Sequence, residues 1–347
     1  MQRICTTLAN AGYQVLLIGR MLAASPPLKE EVFQQKRLNC FFNKSFFFYA
    51  EYNMRLFFYL CFARMDAICA IDLDTILPCY FVSTLRNKTR IYDAHELFSE
   101  MKEVIRRPVV KKTWLAIEKF SVPKFKNGYT VSALIAEEFK RRYRINYTVI
   151  KNLPVEKPLL KREPVIKKII LYQGAINEAR GLEQLVESMK NVDAELHLYG
   201  DGNICEKITR LVLKCELQDK VFMKGMILPA QLDVVTQNAY IGINLVEPSG
   251  LNQLYSLSNK FFDYIQAAVP QLTMNFPEYK KINDLYEVAV LTNTIDVKEI
   301  EDKLNMLLND PALYGKLKNN CMEARKVFRW QEEEPRLIGF YNNLSAR

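Results

Sequence analysis

The sequence predicts an α/β fold of two doubly wound halves, each a parallel sheet flanked by helices. Short apolar runs such as Ala67–Ala70, Lys168–Tyr172 and Tyr240–Val246 alternate with helix-length segments, the rhythm of βαβ units. Many of these runs stop at a glycine or a carboxylate: Asp72, Asp93, Gly174, Gly200, Gly225 and Glu247. In parallel sheets ligands sit beyond such strand ends. The stretch Asn152–Pro164, with Pro154, Lys157, Pro158, Lys161, Arg162 and Glu163, has linker composition. It divides a chain of 347 residues, long enough for two sizeable cores.

The first residues read as an amphipathic helix, a turn at Gly12 and a strand over Gln14–Ile18, without the pattern of a signal peptide. An irregular stretch with Pro26-Pro27 follows, and Phe46–Arg64 predicts a helix. The strand Ala67–Ala70 ends at Asp72 and Asp74, ahead of a helix start near Thr75–Pro78. Arg90–Asp93 is a further strand, continued by Ala94-His95-Glu96. Trp114–Phe120 reads as helix, Gly128–Ser132 as strand, Ala133–Tyr143 as helix and Thr148–Ile150 as the last strand of this half.

In the second half, strands at Lys168–Tyr172, Glu195–Tyr199, Lys220–Met223 and Tyr240–Val246 alternate with helices at Leu182–Met189, Ile204–Cys215 and Ala230–Gln237. The tail from Asp302 to Arg347 reads as mostly helical. The expected domains are 1–155, 156–325 and a C-terminal helix, 326–347, packing back on the first.

Ala239–Pro270 carries the clearest ligand signal. A strand stops at Glu247, and a loop with Pro248, Gly250 and Asn252 follows, expected to be irregular. Ser258 or Asn259 is placed to cap a helix beginning Lys260-Phe261-Phe262-Asp263 and ending before Pro270. A helix start offers free N–H groups and a positive dipole, and Lys260 adds a full charge, so an anion suits this point. The plain alternative is a strand–loop–helix unit that binds only its own cap and water.

Charge is unevenly spread. Residues 1–162 hold 27 Lys and Arg against 14 Asp and Glu, whereas the remainder is slightly acidic, 21 against 25. A basic half suggests an anionic partner. No nucleic-acid module is present, which leaves a membrane surface or a phosphorylated acceptor, or basic residues scattered for solubility. The eight cysteines form no CxxC pair, and with only His95 and His197 there is no zinc spacing. No metal is expected, and the thiols point to a reducing cytoplasm. Phe41–Phe62 is the most apolar stretch, but Lys44, Glu51 and Arg55 interrupt it, so it does not read as a membrane span. Its rings fit either the core of its own domain or a membrane interface.

Several short pieces, in order, resemble glycosyltransferase family 4, enzymes of the GT-B fold. They are Tyr92-Asp93-Ala94-His95-Glu96, Thr130-Val131-Ser132, Val149–Pro154, Tyr172-Gln173-Gly174 with Arg180-Gly181-Leu182, Leu198–Gly202, Val221-Phe222 with Gly225, and Asn259–Tyr264 with Pro270. The resemblance spans nearly the whole chain. It implies two Rossmann-like domains facing a cleft and a nucleotide-diphosphate sugar, a UDP- or GDP-sugar, as donor. It also implies a glycan or lipid-linked acceptor, and the basic first half with the aromatic stretch Phe46–Tyr59 motivates a peripheral place at the inner face of a membrane. Retention of configuration comes from the resemblance alone. Two other readings stay open: another GT-B enzyme such as a sugar-nucleotide epimerase, or an inactive nucleotide-sugar-binding protein.

By the same resemblance Arg180 and Lys260 hold the diphosphate. Asp263 and Asn259 stand in the helix whose carboxylate meets the ribose, and Glu247 touches the donor sugar. Gly174, Gly200, Asp201 and Gly225 bring backbone close to the ligand, with Met226 and Ile227 near the base. His95, with Glu96 beside it, binds a sugar hydroxyl or assists acceptor deprotonation. Departures from the family pattern are Asp for Glu at 263, a longer spacing from Glu247, and Ala175 where many relatives have Arg. The chain also begins at a helix, so the first domain is expected to lack its usual opening strand.

Overall fold

The computed structural model describes residues 1–23, 25–160 and 167–345. Of the expected linker, Lys161 to Pro164 lie outside the described residues. The chain forms two compact units, Met1–Lys151 with Glu333–Arg347, and Asn152–Glu332.

In the first unit α1 (Gln2–Asn10) leads to β1 (Leu16–Met21) and β2 (Gln34–Asn39), which pair in parallel, Leu16 opposite Gln34. β2 carries no strand signal of its own: QQKRLN has no apolar run, and its strand form comes from pairing with β1. Then follow α2 (Ser45–Phe62), β3 (Ala67–Ile71), α3 (Ile76–Leu85), β4 (Thr89–Ala94), the short α4 (Lys102–Ile105) and α5 (Pro108–Ser121). β5 (Asn127–Thr130), α6 (Ala133–Tyr143) and β6 (Thr148–Val149) complete a parallel sheet of order β3-β4-β5-β6. Ser132 caps α6 by accepting the Ile135 N–H, and Arg144 ends it in the left-handed region. α2 turns Tyr52, Leu56 and Leu60 inward, toward α3. Its opposite stripe is exposed, so the helix is core on one face only. No helix of the described residues is long and apolar enough to cross a membrane.

The second unit holds β7 (Ile169–Gln173), α7 (Leu182–Ser188), β8 (Glu195–Tyr199), α8 (Cys205–Lys214), β9 (Val221–Gly225), α9 (Pro229–Asn238) and β10 (Ile241–Asn244). After them come α10 (Leu251–Tyr255), α11 (Asn259–Gln266), β11 (Gln271–Met274), α12 (Pro277–Tyr286), β12 (Ala289–Thr292), α13 (Val297–Asn309), α14 (Pro311–Ala324) and α15 (Trp330–Ser345). From Glu333 onward α15 belongs to the first unit, where Phe340 sets its ring 5.3 Å from that of Tyr129. The sheet order is β12-β11-β10-β7-β8-β9, all parallel. α10 corrects the expected irregular loop: Pro248 and Gly250 stop short of LNQLY, which contains no helix breaker.

Candidate functional site

The chain moves outward from β7 through β8 to β9, then returns to lay β10 on the other side of β7. The point of reversal lies between β7 and β10, and in such sheets ligands bind outside the carboxyl ends of the strands at that point. Their flanking loops are joined there, since the Glu247 N–H donates to the Ala179 carbonyl at 2.9 Å. Gly174 follows β7 with φ +129°, and Gly200 follows β8 with φ +139°. A Cβ on Gly200 would stand 1.8 Å from the Gly174 carbonyl oxygen, so that contact requires glycine. The Gly174 N–H donates to Tyr199 and the Gly200 N–H to Gly225, each at 2.9 Å. Three strand ends are thereby laced into one surface.

Lys260 stands over this surface. Its Nζ lies 3.6 Å from where a Gly174 Cβ would be and 4.0 Å from the centre of the Tyr172 ring. Tyr172 is buried, and its hydroxyl donates to the Ala175 carbonyl at 2.6 Å, which braces the turn. Burial first, and then the positive charge of Arg180, lower the Lys260 pKa to about 7, against a smaller pull upward from Asp263. Among the described residues no carboxylate forms an ion pair with Lys260 or Arg180. Two cations held in mutual repulsion beside an open glycine turn are arranged for a ligand of opposite charge.

The start of α11 points the same way, although the capping is not as expected. Ser258 precedes the helix, yet its side chain accepts nothing from the first turn. Its hydroxyl donates instead to Asn244 Oδ1 at 2.8 Å, and Asn244 is fixed by its own bond to Thr273 Oγ1 at 2.5 Å. By contrast Asp296 and Asp310 cap α13 and α14 with their side chains. The first turn of α11 thus lacks a side-chain cap, and its dipole favours an anion. Tyr264 holds the helix in place, its buried hydroxyl donating to the Leu171 and Ile243 carbonyls at 2.9 and 3.3 Å. Gly242 makes room for that ring, which a Cβ would meet at 2.4 Å.

Asp263 lies one turn beyond Lys260 and accepts from Gln173 Nε2 at 3.1 Å, while Thr236 donates to Gln173 Oε1 at 2.7 Å. The structure therefore brings Gly174, Gly200, Gly225, Arg180, Glu247, Lys260 and Asp263 to the carboxyl ends of β7, β8, β9 and β10. Asp201 faces outward, accepting from the Gly202 N–H at 2.8 Å, and Asn259 is exposed, accepting from Asn152 at 2.9 Å. Met226 is exposed just past β9, with Ile227 half-buried after it. Tyr172, Gln173, Asn244 and Tyr264 were missed because apolar strand and helix positions give no sign of which ring or amide turns toward a site.

The first unit gathers a separate polar cluster at the ends of β3 and β4. Asp72, at φ +54°, accepts the His95 N–H at 2.9 Å and donates its own N–H to Asp93. His95 Nε2 lies 3.1 Å from Asp93 Oδ1, a contact whose angle falls short of a full hydrogen bond. Tyr129 donates to the other Asp93 oxygen at 3.0 Å. Burial alone would lower the His95 pKa, but the nearness and charge of Asp93, joined by Asp72, outweigh it and hold the ring above its ordinary value. Burial pushes Asp72 upward in turn. Glu96 is half-buried next to this cluster. Among the described residues no group of three or more His, Cys, Asp and Glu is placed to hold a metal ion.

Residues 159–326 match the model of the family Glycosyl transferases group 1. No curated protein matches the sequence. Sucrose-phosphate synthase from Thermosynechococcus elongatus is similar in structure, with TM-score 0.79 and 19% identity over 99% of this chain and 92% of that one. Anabaena Alr3699/HepE, in complex with UDP and glucose, gives 0.73 and 12% over 100% and 96%. A glycosyltransferase from Rickettsia africae gives 0.67 and 14% over 98% and 93%. These likenesses show the two-unit α/β architecture called GT-B.

Proposed function

We propose that this chain, which has the GT-B fold and whose residues 159–326 match the model of Glycosyl transferases group 1, moves a hexosyl group, with retention, from a nucleotide-diphosphate sugar. The donor is a UDP- or GDP-sugar, and the acceptor is a glycan or lipid-linked molecule at the inner face of a membrane. One observation carries the donor reading: Lys260 and Arg180, without ion-pair partners among the described residues, beside the glycine turn and the uncapped start of α11. A diphosphate answers all three features. It neutralises the two neighbouring cations, accepts from N–H groups of the helix start and fits where backbone replaces side chains. UDP bound in the HepE structure supports that donor class.

In the transfer step the bond between the anomeric carbon and the diphosphate oxygen breaks as the acceptor oxygen bonds to that carbon, and negative charge gathers on the departing phosphate. Lys260 and Arg180 are fixed before that charge appears, so they stabilise the transition state without reorganising. Asp263, steadied by Gln173, is assigned to the ribose hydroxyls, and Glu247 to the donor sugar. His95, backed by Asp93, is assigned to a sugar or acceptor hydroxyl, and a raised pKa lets it keep a proton taken from that group. The test is nucleotide release from UDP-glucose and GDP-mannose, with and without a membrane glycolipid extract as acceptor. Release that needs the extract and disappears in Lys260→Met supports the proposal. An isomerised sugar nucleotide formed without acceptor would replace it with an epimerase. Product NMR reads the anomeric configuration, and inversion would end the claim of retention.

A further inference from the structure

The exposed positions of α2 between Phe46 and Phe62 are all apolar: Phe46, Phe47, Ala50, Met54, Phe58 and Phe62. Phe46, Ala50, Met54, Phe58 and Phe62 run at every fourth residue, opposite the buried stripe of Tyr52, Leu56 and Leu60. A surface helix ordinarily places charge there, and a contiguous exposed apolar stripe marks a contact surface. Beside it, Phe57, Tyr80, Phe81, Thr84, Leu85 and Phe120 line an open groove of about 610 Å3 between α2, α3 and α5. Leu85 is 71% exposed there.

Two cations edge this groove. The Arg90 guanidinium lies 5.0 Å from the Tyr80 ring centre and donates to Thr84 Oγ1 at 3.1 Å. Lys124 Nζ lies 3.7 Å from the Phe120 ring centre and 5.4 Å from that of Tyr80. Neither forms an ion pair among the described residues, and Lys119 and Lys126 stand exposed close by in sequence. Arg90 is the second residue of β4, Lys124 precedes β5, and Leu85 closes α3. The groove therefore lies at the amino end of the sheet, away from the carboxyl ends where Asp72, Asp93 and His95 gather. It is not part of that cluster.

We infer that this face docks on an anionic phospholipid bilayer, with α2 in the plane of the interface, an acyl chain in the groove, and Arg90 and Lys124 on the lipid phosphate. The inference rests on the membrane location in the proposed reading and not on the donor chemistry. An apolar face edged by unpaired cations matches acyl chains below anionic headgroups. It does not suit a second copy of this chain, because a two-fold contact would bring the same cations onto the same face.

The test is sedimentation of the full chain with phosphatidylcholine vesicles, with and without phosphatidylglycerol. Wild type is expected to bind the anionic vesicles at least about tenfold better. Leu85→Glu and Phe58→Glu change exposed side chains and are expected to lower that binding by about tenfold or more. Arg90→Gln with Lys124→Gln removes the preference for phosphatidylglycerol. Brominated acyl chains are expected to quench Phe81→Trp. Equal binding to both vesicles, unchanged binding of Leu85→Glu, or absence of quenching would overturn the inference. So would a concentration-dependent dimer that Leu85→Glu dissociates. UDP-glucose and GDP-mannose titrations of the same variants keep the two readings apart: lost donor binding with intact vesicle binding counts against the donor site alone.

Discussion

Replacing Lys260 by Met separates what the site does for stability from what it does for binding. In the nucleotide-free protein burial and Arg180 bring the Lys260 pKa from 10.5 to about 7. The unfolded chain holds that proton up to 10.5 and the folded one releases it near 7, so stability rises as pH climbs from 7 toward 10.5. Below 7 the folded state carries the whole penalty, at most about 5 kcal/mol, and less because the side chain is partly exposed. Lys260→Met removes this penalty and loses the contact with Tyr172, worth about 1 kcal/mol. It is expected to be more stable by about 2 kcal/mol at pH 6.5, read by denaturant unfolding. Binding moves the opposite way. A diphosphate selects the protonated form, so the apparent Kd grows as 1 + 10^(pH − 7), about 25-fold between pH 6.5 and 8.5. A sugar nucleotide suits the assay, because its diphosphate joins two esters and has no proton to lose near neutrality. Titration calorimetry of the donor across that range is expected to show this loss and proton uptake at the higher pH. In Lys260→Met the profile flattens and affinity falls by about 100-fold, the worth of two charge-assisted hydrogen bonds. A flat wild-type profile, or the same profile in the variant, would refute the reasoning.

Three further substitutions probe the frame. Gly200→Ala sets a methyl 1.8 Å from the Gly174 oxygen at a φ of +139° and is expected to cost about 3 kcal/mol or more, with loss of donor binding; an unfolding midpoint like wild type would show that the turn yields. Tyr264→Phe removes the bonds to Leu171 and Ile243 and is expected to cost about 1–2 kcal/mol, loosening α11. Donor affinity unchanged after that loss would mean α11 does not need this anchor. Asp93→Asn takes away the charge that offsets burial at His95, so the ring pKa is expected to fall, followed by NMR of the imidazole. The transfer rate is expected to fall by about 100-fold with donor affinity within about twofold; an undiminished rate would remove His95 and Asp93 from the chemistry.

Much of the second sheet was legible because buried parallel strands are apolar runs with sharp ends. Glu195–Tyr199 appears at the residues read from sequence, and Ala133–Tyr143 likewise in the first unit. β2 was not legible, since a polar strand owes its form to its partner. β11 and β12 are four residues each, shorter than the window in which period can be judged. At the site, charge and glycine were visible, and arrangement was not. The three glycines could be named from their positions after strands, Lys260 from a helix start, and Arg180 from the family resemblance. Ser258 was read as a cap, but the competing acceptor, Asn244, lies in a neighbouring strand end and only the fold brings it near. The same holds for the Tyr172 ring under Lys260 and for Gln173 on Asp263. Exposed rings on α2 were ambiguous for a related reason, since periodicity separates two faces but does not say which is covered.

The central claim is that a sugar nucleotide sits outside the carboxyl ends of β7 and β10, on the turn at Gly174 and the start of α11. Hydrogen exchange of the backbone amides, with and without saturating UDP- or GDP-sugar, tests it directly. Protection is expected at Gly174–Ala175, Arg180–Leu182 and Asn259–Phe261, and is expected to vanish in Arg180→Ala at the same donor concentration. Absence of protection at these amides with either donor, or protection confined to other segments, would contradict it.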